Sequence, residues 1–109
     1  QIKDEYLQRQ FVLYSRFMQE QHLYDLDDLI YRPLLLFERD SLLLQTLRRR
    51  FGWILVDEYQ DINIAQYRLI RHLAGRNEPN LCAIGDPNQA IYGFRGADVS
   101  FIYRFVDDF

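Results

Sequence analysis

The sequence predicts an α/β chain, helix-rich over residues 1–50, with a strand–helix–strand unit of parallel strands inside residues 51–109. Three observations support this. Apolar residues recur at spacings of three and four through the first half, which is the helical period. The pattern then changes to a continuous apolar run, Trp53-Ile54-Leu55-Val56, echoed by a second run from Leu81 to Ile84. Between the two runs lies one more helical pattern, and strands joined by a crossover helix lie parallel.

The elements follow in order. Residues 4–22 read as a helix in which Leu7, Phe11, Tyr14 and Met18 share one stripe. The acidic cluster Asp25-Leu26-Asp27-Asp28 opens a second helical stretch, because carboxylates in a first turn cap free amides and complement the helix dipole. Pro33 either bends that stretch or begins a new helix at its own position. From Leu34 to Arg50 the pattern stays helical, with Leu35, Leu42, Leu43 and Leu47 as core candidates. Arg48-Arg49-Arg50 suit a solvated helix C-terminus, which Gly52 ends. Trp53–Val56 then reads as a strand covered on both faces. Asn63 is a plausible N-cap for a helix running to Ala74, with Tyr67, Ile70 and Ala74 on its apolar face and Gly75 as its stop. Pro79-Asn80 turns the chain into the second buried strand, in which Cys82 reads as inert core. Asp98 caps a last helix whose stripe is Val99, Ile102, Tyr103 and Val106.

Composition excludes several classes. With 109 residues, 49% hydrophobic content, 27% charge and a single cysteine, the chain is neither disordered, collagen-like nor a disulfide scaffold. The unpartnered Cys82 points to a reducing compartment, hence a cytoplasmic location. No apolar run approaches the roughly 18 residues of a membrane span, so no membrane partner is expected. The chain opens on Gln1, which suggests excision from a longer protein. Lys3 is its one lysine, and no Gly-Lys pair occurs, so the phosphate-cradling P-loop is absent from this sequence. The net charge of −3 argues against a broad basic face for nucleic acid, while a local contact stays possible.

Two polar clusters leave the C-terminal ends of the strands, the edge where open α/β sheets bind ligands. The first is Asp57-Glu58-Tyr59-Gln60-Asp61. A carboxylate just beyond a buried strand is fixed by the sheet yet reaches solvent, which suits Mg²⁺; the next can deprotonate a water attacking a terminal phosphate. A solvated acidic turn would use the same residues. The second cluster runs from Gly85-Asp86-Pro87-Asn88-Gln89 to Asp98. Gln89 carries an amide able to sense a phosphate or a water. Tyr92, Phe94 and Arg95 put two rings and a guanidinium into one loop, as in stacking on unpaired bases or, alternatively, as core residues under that loop.

Val56-Asp57-Glu58-Tyr59-Gln60-Asp61, followed by Gly85-Asp86-Pro87-Asn88-Gln89-Ala90-Ile91-Tyr92-Gly93-Phe94-Arg95-Gly96-Ala97-Asp98, resembles motifs II and III of the UvrD/Rep-type superfamily 1 DNA helicases. Asp25-Leu26-Asp27-Asp28-Leu29-Ile30 is similar to the acidic segment preceding motif II in that family. The resemblance implies a partial RecA-like P-loop NTPase domain, in which residues 1–109 form the C-terminal part of the ATP-binding domain. It implies that Asp57 coordinates Mg²⁺, Glu58 activates the hydrolytic water, Gln60 couples the nucleotide site to its surroundings and Gln89 senses the γ-phosphate of ATP. Tyr92, Phe94 and Arg95 would contact single-stranded DNA. The parent would be an ATP-dependent 3′–5′ DNA helicase acting at duplex junctions in repair or recombination, together with its remaining helicase domains. Phe94 stands where many members have Trp, Gly93 replaces a commonly larger residue, and Leu26 and Ile62 are packing changes. Two other readings stay open: the ATPase part of a helicase–nuclease, and a non-catalytic DNA- or partner-binding remnant.

Overall fold

The computed structural model of the chain describes residues 4–74, 80–90 and 96–109. Three helices come first: α1 (Glu5–Glu20), α2 (Asp28–Arg39) and α3 (Ser41–Arg50). Strand β1 (Ile54–Val56), helix α4 (Ile64–Leu73) and strand β2 (Leu81–Ala83) follow, then the short helices α5 (Ser100–Tyr103) and α6 (Phe105–Asp108). The strands pair in parallel, with Ile54 opposite Leu81, Leu55 opposite Cys82 and Val56 opposite Ala83. The chain is thus α/β, helix-rich with a two-stranded parallel sheet.

Side-chain caps explain most boundaries. Asp4 accepts from the Tyr6 amide at 2.9 Å and starts α1. At the other end His22 turns left-handed (φ 53), and the Leu23 amide reaches back to the Met18 carbonyl at 2.8 Å. That is the closing bond of a Schellman turn, a place that favours glycine. The acidic cluster starts α2 as expected: Asp25 Oδ1 accepts from the Asp28 amide at 2.7 Å. Pro33 lies inside α2, which nevertheless runs on to Arg39. The helical reading from Leu34 to Arg50 needs correction at Asp40, which is extended (φ −119, ψ 90) and whose carboxylate accepts from Leu43 N at 2.9 Å. One aspartate therefore ends α2 and caps α3. This break rephases the apolar face, so Leu34, Phe37 and Leu44 are buried, Leu35, Leu43 and Leu47 are only half-buried, and Leu42 is exposed.

Asn63 caps α4 as expected, accepting from Ala65 N and Gln66 N while Gln66 returns a bond to the Asn63 amide. The core cluster is Tyr59, Ile62, Tyr67, Ile70 and Phe101, with Val56, Leu81 and Ala83 of the sheet packed against it. Tyr67 and Phe101 stack with ring centroids 4.2 Å apart, and Phe105 meets Tyr59 edge-on at 5.3 Å. Burying each such ring contributes about 1.5–3 kcal/mol. This aromatic packing corrects the stripe expected for a single last helix. The chain breaks at Arg104, and Phe101, with half-buried Phe105 and Ile102, faces the core, while Tyr103 and Val106 are exposed.

The sheet also departs from expectation. Strand β1 is covered on one face only: Val56 packs on the core, while Leu55 is 72% exposed and Trp53, just before the strand, 71%. Cys82, Leu55's partner across the ladder, is likewise exposed rather than core. A two-stranded sheet with its helices on one side leaves alternate residues of each strand bare. The α1 stripe is bare too: α1 has no buried residue, and Leu7, Phe11 and Tyr14 are exposed. The radius of gyration, 16.5 Å, exceeds the roughly 13 Å of a compact chain of this length, consistent with these open faces.

Candidate functional site

The ladder continues one step past the strands: the Ile84 amide donates to the Val56 carbonyl at 2.8 Å, and the Tyr59 amide to the Ile84 carbonyl at 2.9 Å. The segment after β1 therefore folds across the end of β2. To do so Glu58 adopts a left-handed backbone, φ 51 and ψ 42. Such a conformation is uncommon for a side chain without local support and marks sites that store strain. The support is visible. Asp57 Oδ1 accepts from the Glu58 amide at 2.9 Å, and the Asp61 amide donates to the Glu58 carbonyl at 2.9 Å.

Tyr59 and Gln60 turn inward from there. Tyr59 is fully buried; loss of solvent, foremost, pushes its phenol up to about 12. Gln60 is 1% exposed and uses both ends of its amide. Nε2 donates to Glu58 Oε2 at 2.6 Å, and Oε1 accepts from the Asp86 amide at 3.0 Å. Gly85 permits this approach, since a Cβ there would stand 2.7 Å from Gln60 Oε1 and 3.1 Å from Tyr59 N.

The second cluster is organised by Asp86. Its carboxylate accepts from the Asn88 amide at 2.9 Å and from Gln89 Nε2 at 3.1 Å. These bonds, the Asn88 amide foremost, hold its carboxyl below the usual carboxylate value. Gln89 closes a single 3-10 turn, Pro87–Gln89, and is exposed. Beyond the loop, Ala97 bridges Asn63 and the Asp98 amide donates to the Ile62 carbonyl at 3.2 Å, so both clusters are anchored on the same stretch before α4.

Of the residues singled out in the sequence, Asp57, Glu58, Gln60 and Gln89 come together at this strand edge, three exposed and one buried. Tyr92, Phe94 and Arg95 lie outside the described residues. The sequence places Asp86 in a turn off the second strand, an aspartate followed by proline and asparagine, but does not reveal the bond by which its carboxylate holds Gln89. Arg48 is not a merely solvated helix end: its Nε donates to the His72 carbonyl at 2.7 Å. It lines a cavity of about 700 Å³ with Arg68, Arg71 and Arg104, to which Asp57, Glu58, Gln60 and Gln89 do not contribute. Among the described residues no helix is long and apolar enough to cross a membrane.

The chain matches the family described as UvrD/REP helicase N-terminal domain over residues 2–109. It is 45% identical over 96 residues to the protein named ATP-dependent DNA helicase PcrA of Staphylococcus epidermidis strain RP62A, covering 88% of this chain and 13% of the relative. The same figures hold for the PcrA of Staphylococcus aureus strain Mu50. The chain thus spans about 13% of the length of the curated relatives it matches. An extended match of this kind, with the paired acidic and glycine-rich clusters inside it, places the chain in the UvrD/REP helicase N-terminal domain family.

Proposed function

We propose that residues 1–109 form the C-terminal part of a RecA-like ATP-binding domain in an ATP-dependent DNA helicase, and carry that enzyme's water-activating carboxylate. The observation that supports this best is the juxtaposition at the strand edge. Asp57 and Glu58 leave β1, the turn bearing Gln89 leaves β2, and Gln60 joins the two. An exposed glutamate held in a strained backbone is poised to take a proton from a water attacking the terminal phosphate of ATP. Gln89, on the neighbouring turn, would report that phosphate by exchanging its bond to Asp86 for one to the nucleotide.

Asp57 fits a Mg²⁺ anchor. It is an exposed hard-oxygen donor at a strand end with, among the described residues, only Oδ1 committed, to the Glu58 amide. Nucleotide-bound Mg²⁺ is held by one or two carboxylates, with phosphate oxygens and waters completing the shell. When bound, the ion would neutralise phosphate charge. The P-loop and the remaining helicase domains belong to the longer parent, which would translocate 3′ to 5′ on single-stranded DNA, unwind duplex junctions and serve repair or recombination in the cytoplasm. Tyr92, Phe94 and Arg95 would supply this segment's contact with single-stranded DNA.

The test is Glu58→Gln in the full-length parent. Turnover should fall by about 10²–10⁴-fold, the usual scale for a lost acid–base group, while ATP binding persists. Near-normal unwinding by this variant would move the base to another residue.

A further inference from the structure

We infer that Gln60 is a positioning residue that locks the water-activating carboxylate and the Gln89-bearing turn into one arrangement, rather than a contact to the nucleotide. The inference rests on the reading of Glu58 given above. A nucleotide contact requires a free amide atom near solvent, and Gln60 has neither: it is 1% exposed and both amide ends are engaged. The orientation of the amide follows from its partners. A carboxylate oxygen needs a donor and a backbone N–H needs an acceptor, so only Nε2 toward Glu58 and Oε1 toward Asp86 satisfies both.

A continuous chain results: Glu58 Oε2 to Gln60 Nε2, Gln60 Oε1 to Asp86 N, and Asp86 Oδ2 to Gln89 Nε2, at 2.6, 3.0 and 3.1 Å. The first link is short and charge-assisted, the stronger class of hydrogen bond. It selects one rotamer for an exposed glutamate that would otherwise sample several, and it leaves Oε1 without a hydrogen bond among the described residues. The last link means that a ligand drawing Gln89 away from Asp86 alters the same network that holds Glu58. Gly85 is part of the device, because any side chain there would collide with Gln60 Oε1.

The experiment uses the full-length parent and compares Gln60→Met, Gln60→Glu and Gly85→Ala with Glu58→Gln. Gln60→Met removes both bonds at similar volume. Gln60→Glu keeps an acceptor for the Asp86 amide and replaces the amide donor to Glu58 with a second carboxyl group. We expect kcat per folded molecule to fall roughly ten- to a hundredfold in both, the scale of a misplaced reacting group, with the KM for ATP within about twofold of wild type. Gly85→Ala should lower kcat in the same direction, and less than multiplicatively when combined with Gln60→Met, because the two changes break one contact. Unchanged kcat per folded molecule in both Gln60 variants overturns the inference, as does a loss confined to KM. Failure of both to fold overturns it as well, leaving a purely structural contact. If Glu58→Gln abolishes turnover while the Gln60 variants do not, only this inference fails; if Glu58→Gln stays active, the reading beneath it fails.

Discussion

Among the described residues, the non-glycine positions with left-handed backbone are His22, at the end of α1, and Glu58, at the strand edge, with nearly equal φ of 53 and 51. Their surroundings differ. At His22 the conformation is a by-product of ending a helix: backbone bonds close the turn, and glycine would serve better. At Glu58 the conformation is over-determined by Asp57, by Gln60, and by the neighbouring Tyr59 amide bound to Ile84. The contrast extends to whole regions. Around Glu58 the polar groups form one linked network, whereas α1 carries an apolar stripe with no buried residue. Strain supported by a dense network signals function, while the same torsion at an exposed helix end signals only a turn.

The sharpest way to break this comparison is to put glycine at both positions. Glu58→Gly relieves the torsion but removes the carboxylate. Turnover in the parent should fall by about 10²–10⁴-fold even if the fold is not harmed. Parallel ATPase and melting measurements decide it, and a variant that keeps its turnover would show that the strained site holds no base.

A second comparison sets a buried ring against an exposed one. Phe101 is 4% exposed and stacked on Tyr67, so Phe101→Ala should cost about 3–5 kcal/mol in urea denaturation of the 109-residue chain. Phe11, on the α1 stripe, is 58% exposed, and Phe11→Ala in the same chain should stay within about 0.5 kcal/mol. Equal costs would mean that the stripe is covered in solution.

These contrasts also explain what could be read from the sequence. The strand–helix–strand unit was legible because its signals are local: an apolar run, the Asn63 cap with Gln66 three residues on, and a second run. That Asp57, Glu58 and Gln89 share an edge followed from strand direction alone. The α4 face of Tyr67, Ile70 and Ala74 is buried as read, and what failed were the inferences about what covers the α1 stripe and the outer side of the strands. Periodicity shows that Leu7, Phe11 and Tyr14 share a stripe, and strand alternation that Leu55 and Cys82 share a side, but neither reveals whether another element packs there. The break at Asp40 was hidden because an N-cap aspartate is also tolerated within a helical pattern, so Leu42 was assigned to the wrong face. Gln60 is the instructive case at the site. It stands between buried Tyr59 and exposed Asp61, and Gly85, 25 residues away, closes over it at a distance of closest approach no local pattern encodes.

The smallest expected effect concerns the other left-handed residue. At His22 a β-carbon in this conformation costs about 1–2 kcal/mol, while glycine gives back about 0.5–1 kcal/mol through the greater freedom of the unfolded chain. The difference favours His22→Gly by about 0.5–1 kcal/mol, confined to the last turn of α1. The bonds that close this turn, from His22 N to Gln19 O at 3.2 Å and from Leu23 N to Met18 O at 2.8 Å, are both made by backbone and survive the change. Hydrogen exchange in the parent should therefore slow roughly two- to fivefold at those amides by local opening, with turnover unaltered. Unchanged protection would mean that the imidazole stabilises the turn by a contact worth as much as the strain, and His22→Ala, which keeps the β-carbon and removes the ring, would then speed exchange. Faster exchange in His22→Gly would remove the contrast altogether, because both left-handed residues would then be supported by their side chains.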